Sequence, residues 1–156
     1  MERTKLFRLL AVLWMIVIFL FSARDADLSE QDSCRIGLAI GRVAVTGFAD
    51  WSEEEQLAFA RTIDFPVRKA AHATEYAVLA VLFLGAFPLT GLFRSGTLAL
   101  GLSALYACTD EFHQRFVAGR SGQLTDVLID GTGALAGILL AALFLRVRAG
   151  TRRKTI

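Results

Sequence analysis

The sequence predicts an all-α fold, a polytopic membrane bundle of four transmembrane helices. One or two short interfacial helices are expected in its first outer connection. Three observations lead there. Hydrophobic residues make up 54% of the 156-residue chain, and mean hydropathy is +0.51, above what a soluble domain of this size carries. The apolar residues gather into runs of near membrane-spanning length. Basic residues cluster at the two chain ends, while every acid but Glu2 falls between the end of the first run and the first turns of the fourth. No low-complexity tract or internal repeat divides the chain, so residues 1–156 read as one domain.

The first span is expected at about 6–22. Leu9 to Phe21 reads LLAVLWMIVIFLF without a polar residue. That run is short, but Leu6 and Phe7 extend it because Arg8 can snorkel. The following FSARDAD lacks a small-x-small cleavage site, so the segment reads as a retained span rather than a signal peptide. Three more spans are expected at about 67–87, 96–112 and 124–145. Each reaches spanning length only when its polar end is included. Short connections make consecutive spans of this trio antiparallel neighbours.

Orientation follows from the basic residues. With the N-terminus inside, the inner ends carry Arg3, Lys5, Arg8, Arg94, Arg146, Arg148, Arg152, Arg153 and Lys154. The outer side carries nearly as many, so the dense RVRAGTRRK directly after the fourth run decides. Both termini are expected in the cytoplasm.

Residues 24–65 are too many for a plain loop. Asp32, Arg35, Ala39, Arg42 and Thr46 form a polar or small stripe at helical spacing. Ile36, Ile40, Val43 and Gly47 form an apolar one. This predicts an amphipathic interfacial helix. SEEEQLAFARTID then opens with a capping box, Ser52 and Glu55, and predicts a second short helix. Asp64 and Pro66 mark the start of the second span. These helices either cap the bundle or help grip a ligand. Cys34 and Cys108 have no metal-type spacing, and unlinked thiols are the simpler reading.

The polar residues of the spans concentrate at one level. Arg68, His72 and Glu75 share one face of the second span, and Lys69, His72 and Tyr76 share an overlapping one. Asp110, Glu111, His113 and Gln114 close the third span. Asp126 and Asp130 lie one turn apart at the start of the fourth. Ionisable groups at this depth cost several kcal/mol unless paired or hydrated. Arg68 and Lys69 oppose the helix dipole at an N-terminus, and Asp110 and Glu111 oppose it at a C-terminus. Groups that break local rules need partners. With Arg115 and Arg120, the cations nearly balance the acids, so an ion-pair network holding the helices together is one complete account. Asp126 also fits simple dipole capping.

A ligand site is the other account. VAGRSGQ places Gly119 and Gly122 around Arg120 and Ser121, where backbone can approach a ligand and Arg120 can grip a phosphate or carboxylate. His72, with Asp110 or Asp126, has the composition of a general-base site or of a divalent-metal site. No recognised metal spacing is present, so no metal is assigned and no cofactor is named. Gly133 and Gly137 form a GxxxG that permits close helix packing.

RKAAHATEY (Arg68 to Tyr76), DEFHQRFVAGR (Asp110 to Arg120) and DVLIDGTGALAG (Asp126 to Gly137) resemble, in that order, the motifs of the VanZ-like family of bacterial membrane proteins. On that resemblance, Arg68, Lys69, His72, Glu75 and Tyr76 fall on the first motif. Asp110, Glu111, His113, Gln114, Phe116, Gly119 and Arg120 fall on the second, and Asp126, Gly133 and Gly137 on the third. Ala118 stands where Pro is expected and Ala73 where an aromatic is usual. Asp130 stands where Asn or Asp is expected.

The resemblance implies a multi-pass protein of the bacterial cytoplasmic membrane. The family takes its name from a determinant of resistance to teicoplanin, a glycopeptide with a lipid tail, and carries no settled activity. Three functions follow as expectations. One is a polar outer-face pocket binding or handling an anionic envelope lipid or glycolipid. There Arg68, Lys69 and Arg120 would hold the anion while Asp110, Glu111 and Asp126 orient sugar or amine groups, with Glu75, Tyr76, His113, Gln114 and Asp130 as further ligand-binding residues. The expected partners are membrane lipid and a lipid-linked envelope precursor or lipoglycopeptide, not nucleic acid. The second is a hydrolase or transferase on a lipid-linked substrate, using His72 with Asp110 or Asp126. The third is the ion-pair network in a partner-dependent membrane protein.

Overall fold

The computed structural model describes residues 2–153. Six α-helices and one 3-10 turn account for almost all of them: α1 Glu2–Ser22, α2 Ala26–Ala44, the turn Phe48–Asp50, α3 Glu53–Thr62, α4 Asp64–Ala86, α5 Leu92–Gln114 and α6 Leu124–Arg153. Lys154, counted above among the inner basic residues, lies outside the described residues.

Two helices, Glu2–Ser22 and Leu124–Ala149, are long and apolar enough to cross a membrane. Their surfaces carry an exposed apolar belt, including Leu9, Val12, Leu13 and Ile16 on α1 and Leu139, Leu140 and Leu143 on α6. Such a belt suits lipid rather than water, and the chain is a membrane protein. The expected second and third spans correspond to α4 and α5. Both are 23 residues long, about 35 Å at 1.5 Å per residue. They fall short of an apolar span because of their charges: Asp64, Arg68, Lys69 and Glu75 toward one end of α4, and Arg94 at one end of α5 with Asp110 and Glu111 toward the other. Helix ends also lie outside the expected bounds, since α1 begins at Glu2 and α6 runs through the basic residues to Arg153.

α4 is the hub, packing against α1, α6, α5, α2 and α3. α6 runs parallel to it and touches it backbone to backbone. A Cβ at Gly133 would lie 2.1 Å from the Ala73 carbonyl oxygen, and one at Gly137 would lie 2.4 Å from that of Ala77. The expected GxxxG packing is therefore the α4–α6 seam. α1 runs antiparallel to α4, with Trp14 Nε1 donating to the Glu75 carbonyl at 2.9 Å and Arg8 Nε to that of Ala86 at 3.2 Å.

The 24–65 connection is helical, as expected, and Ser52 and Glu55 form a complete capping box. Its packing face differs from the expected stripes. α2 buries Ser33, Gly37 and Gly41, setting Gly37 against Ala60 of α3 and Gly41 against the Phe48 ring. Ile36, Ile40 and Val43 stay exposed, and Thr46 and Gly47 lie beyond the helix. Small residues win this face because only they let α3 and Phe48 come so close. Only Ile63 separates α3 from α4, so the start expected at Asp64 holds. Cys34 and Cys108 are free thiols.

Candidate functional site

The α4–α6 seam sets the register of the charged end. Four to seven residues before the Gly133–Ala73 and Gly137–Ala77 contacts, the side chains on the facing helices meet in pairs. Lys69 Nζ donates to Asp126 Oδ1 at 2.5 Å, and His72 Nδ1 lies 3.9 Å from Asp130 Oδ1. The charged end of α5 joins through Glu111, whose Oε2 accepts from the Gln123 amide at 2.9 Å. That contact depends on Gly122, where a Cβ would sit 2.0 Å from the Glu111 carbonyl oxygen.

α1 brings a fourth helix to this end, which the sequence pattern does not reveal. Ser22 Oγ donates to Asp110 Oδ2 at 2.7 Å, and Gln114 Nε2 donates to Ser22 Oγ at 2.7 Å. The first connection adds more. Asp64 accepts from both Ser33 and Arg68, and Arg24 pairs with Asp32. Ser22, Arg24, Asp32, Ser33 and Asp64 thus join the site without having been picked out from the sequence. The available signal was weak: Ser22 is the first polar residue after the apolar run of α1, and Asp64 was read only as a helix start.

Arg120 sits between these layers. Its Nε donates to the Arg24 carbonyl at 2.9 Å and its Nη1 to Gln114 Oε1 at 3.4 Å. Among the described residues no carboxylate lies within 4 Å of it. Burial, then repulsion from Arg68, lowers the pKa of its guanidinium below the ordinary value. Gly119, at φ 71°, packs against Ala26, where a Cβ would meet the Ala26 Cβ at 2.8 Å. The Ala26 amide donates to the Ala118 carbonyl at 3.2 Å, which pins the VAGR loop over the start of α2.

The expected site residues converge, with differences. His72 has its nearest carboxylates in Glu75 and Asp130, each 3.9 Å from Nδ1. Asp110 and Asp126 are engaged elsewhere, by Ser22 and Lys69. His113 leaves the group and packs its ring against Phe19, centroids 4.7 Å apart. Tyr76 is fully buried and its hydroxyl has no hydrogen-bond partner. The same lack of partners holds for His72 Nδ1, Asp110 Oδ1, His113 Nδ1 and both carboxylate oxygens of Asp130. Arg115 is exposed and makes no ion pair among the described residues; Arg24 takes its place, but Asp32 and Asp64 join the acids, so the near-balance of charge is lost. Arg24, Arg68, Lys69 and Arg120 face Asp32, Asp64, Glu75, Asp110, Glu111, Asp126 and Asp130. Among the described residues no three His, Cys, Asp or Glu side chains are arranged to hold a metal ion.

Two cavities of about 230 Å³ each open between these groups. Arg24, Asp32, Glu75 and the apolar Phe21 and Ile36 line the first. Lys69, Gln114, Ser121 and Asp126 line the second. Arg68, His72 and Arg120 line both. The arrangement can bind a polar group beside an apolar chain, and it presents a charge-assisted donor where the cavities meet.

The family model described as VanZ/LLP1 matches residues 7–145, a range that contains every residue of this site. No curated protein and no solved structure matches the chain.

Proposed function

The chain belongs to the VanZ/LLP1 family, and on that premise we propose that it holds the headgroup of an anionic envelope lipid or glycolipid at the charged end of the bundle. In this reading α1, α4, α5 and α6 cross the bacterial cytoplasmic membrane with both termini in the cytoplasm. Arg3, Lys5, Arg8, Arg146 and Arg148 then lie inside, as the positive-inside rule favours. The charged end faces out. α2 rests at the interface, its exposed Ile36, Ile40 and Val43 turned to lipid.

One observation carries the reading. Arg120 is the cation shared by both cavities that has no carboxylate of its own. It is therefore free to meet a phosphate or carboxylate, with Arg68 beside it. Lys69 is committed to Asp126 and acts as a wall rather than a grip. Handling of a lipid-linked envelope precursor or a lipoglycopeptide here would connect the pocket to teicoplanin susceptibility.

The test is what purifies with the protein. Mass spectrometry of the full chain in mild detergent is expected to find an envelope lipid enriched over its membrane abundance, and Arg120→Ala is expected to release it. Retention of bulk lipid in unselected proportions overturns the reading. A hydrolase or transferase reading rests on His72, held between Glu75 and Asp130 rather than beside Asp110 or Asp126. It gains if His72→Ala keeps the lipid but stops its turnover.

A further inference from the structure

The first cavity has one spare charge of each sign. Arg24 is paired with Asp32, and Arg68 with Asp64. Arg120 has no carboxylate within 4 Å among the described residues. In the same cavity, the Glu75 carboxylate accepts no hydrogen bond among the described residues, and the Lys, Arg or His nitrogen within 4 Å of it there is His72 Nδ1 at 3.9 Å. Asp130 lies 3.9 Å from the same His72 Nδ1; both its oxygens lack a partner among the described residues, and that side chain is 1% exposed. A simple anion would satisfy Arg120 but would add negative charge to a cavity lined by Glu75 and bring that carboxylate no donor. A primary ammonium supplies three N–H donors and a positive charge, and a carboxylate-to-ammonium contact is among the stronger hydrogen bonds.

We propose that the headgroup in the first cavity is zwitterionic, a lipid phosphate joined to a primary amine as in phosphatidylethanolamine. Arg120 meets the phosphate and Glu75 the ammonium. This rests on the reading that the cavity holds a lipid headgroup and specifies its chemistry. Phe21 and Ile36 on the same wall suit the glycerol and upper acyl segments.

Native mass spectrometry of the full-length protein tests this with phosphatidylethanolamine, phosphatidylcholine and phosphatidylglycerol of identical acyl chains. Phosphatidylcholine keeps both charges but has no N–H, and phosphatidylglycerol keeps only the phosphate. Phosphatidylethanolamine is expected to be retained about tenfold over each, the value of one charge-assisted hydrogen bond. Glu75→Gln is expected to abolish the preference over phosphatidylglycerol, by lowering phosphatidylethanolamine retention and relieving the repulsion of phosphatidylglycerol. Arg120→Gln is expected to lose both lipids. Soluble glycerophosphoethanolamine at equal concentration is expected not to displace the lipid.

Equal retention of phosphatidylethanolamine and either other lipid overturns the amine assignment and leaves the lipid-headgroup reading standing. So does a Glu75→Gln protein with its preference intact. Displacement by the soluble headgroup overturns the lipid as the source of the headgroup and leaves the amine assignment standing. Absence of selective retention of any lipid overturns both. The three-lipid comparison uses the unmodified protein, so it decides even if a variant fails to fold.

Discussion

In one half of the bundle the buried side chains are Leu79, Ala80, Phe83, Ala86, Ala99 and Ile138; at the other end they include Ser22, Asp110, Glu111, Gln114 and Asp130. Helices α5 and α6 supply both named sets, with α4 in the first and Ser22 of α1 in the second. In lipid, apolar side chains gain little by leaving hydrocarbon tails for one another. Helix association there rests on close contact and on satisfied polar groups. The Gly133–Gly137 seam meets the first requirement by backbone contact, and in the apolar half Ser103 Oγ alone among the buried polar side-chain atoms of the described residues lacks a partner. The charged end meets the second in part, through Lys69–Asp126, Arg68–Asp64 and Ser22–Asp110, and leaves His72, Tyr76 and Asp130 with unpartnered atoms. Stability and candidate chemistry are thus separated along the helix axes.

The largest expected effect breaks the half that holds the bundle together. Gly133→Val drives a side chain into the Ala73 carbonyl, which neither backbone can vacate, and should cost about 3 kcal/mol. Thermal unfolding in detergent reads this as a large fall in Tm. Gly101→Ala is the contrast. Nothing lies within 4 Å of a Cβ there, and the variant should be stabilised by about 0.5 kcal/mol through helix propensity.

At the charged end, Lys69→Ala strands the Asp126 carboxylate. Both side chains are mostly buried, 23% and 16% exposed, so a loss of about 2 kcal/mol is expected. Adding Asp126→Ala should recover about half of it. A double-mutant cycle measures that coupling, and a value near zero would remove the pair from the structural account.

Asp130→Asn should act in the opposite direction. It removes a buried charge that has no donor, so Tm should rise, by about 1 kcal/mol in stability. Retention of the lipid should weaken at the same time. A drop in stability would mean that Asp130 is held by a protein donor after all.

The smallest effect lies outside both regions, in the cover. Ser52 donates to Glu55 and lowers the Glu55 pKa below its ordinary value. The folded value being the lower one, this contribution is complete above the ordinary carboxylate value and is lost as pH falls through the depressed one. The protection of the α3 amides, taken relative to their intrinsic exchange rate, should therefore fall at acid pH, and Glu55→Gln should remove that fall.

Much of this was legible along the chain. The apolar runs located α1, α4, α5 and α6, and the capping box located α3. The clustering of Arg68, His72, Glu75, Asp110, Asp126 and Asp130 at one level followed from their distance to the helix ends. The packing face of α2 was not legible. Ser33, Gly37 and Gly41 carry little hydrophobic signal, and the pattern singled out only the apolar stripe of Ile36, Ile40 and Val43, which stays exposed. Hydropathy reports what a residue prefers as solvent, whereas contact between helices in lipid selects for what is small.

The sequence by itself determined the helices and the turns on which the charges sit, because a period of 3.6 residues and the capping signals are local properties. Tertiary structure alone decided the pairings. Lys69 rather than Arg68 meets Asp126, His72 faces Glu75 and Asp130 rather than Asp110 or Asp126, and Ser22 of α1 completes the Asp110 site. Those choices depend on how each helix is rotated and shifted against its neighbours. Rotation and shift are set at the α4–α6 seam, where Gly133 and Gly137 let two backbones touch.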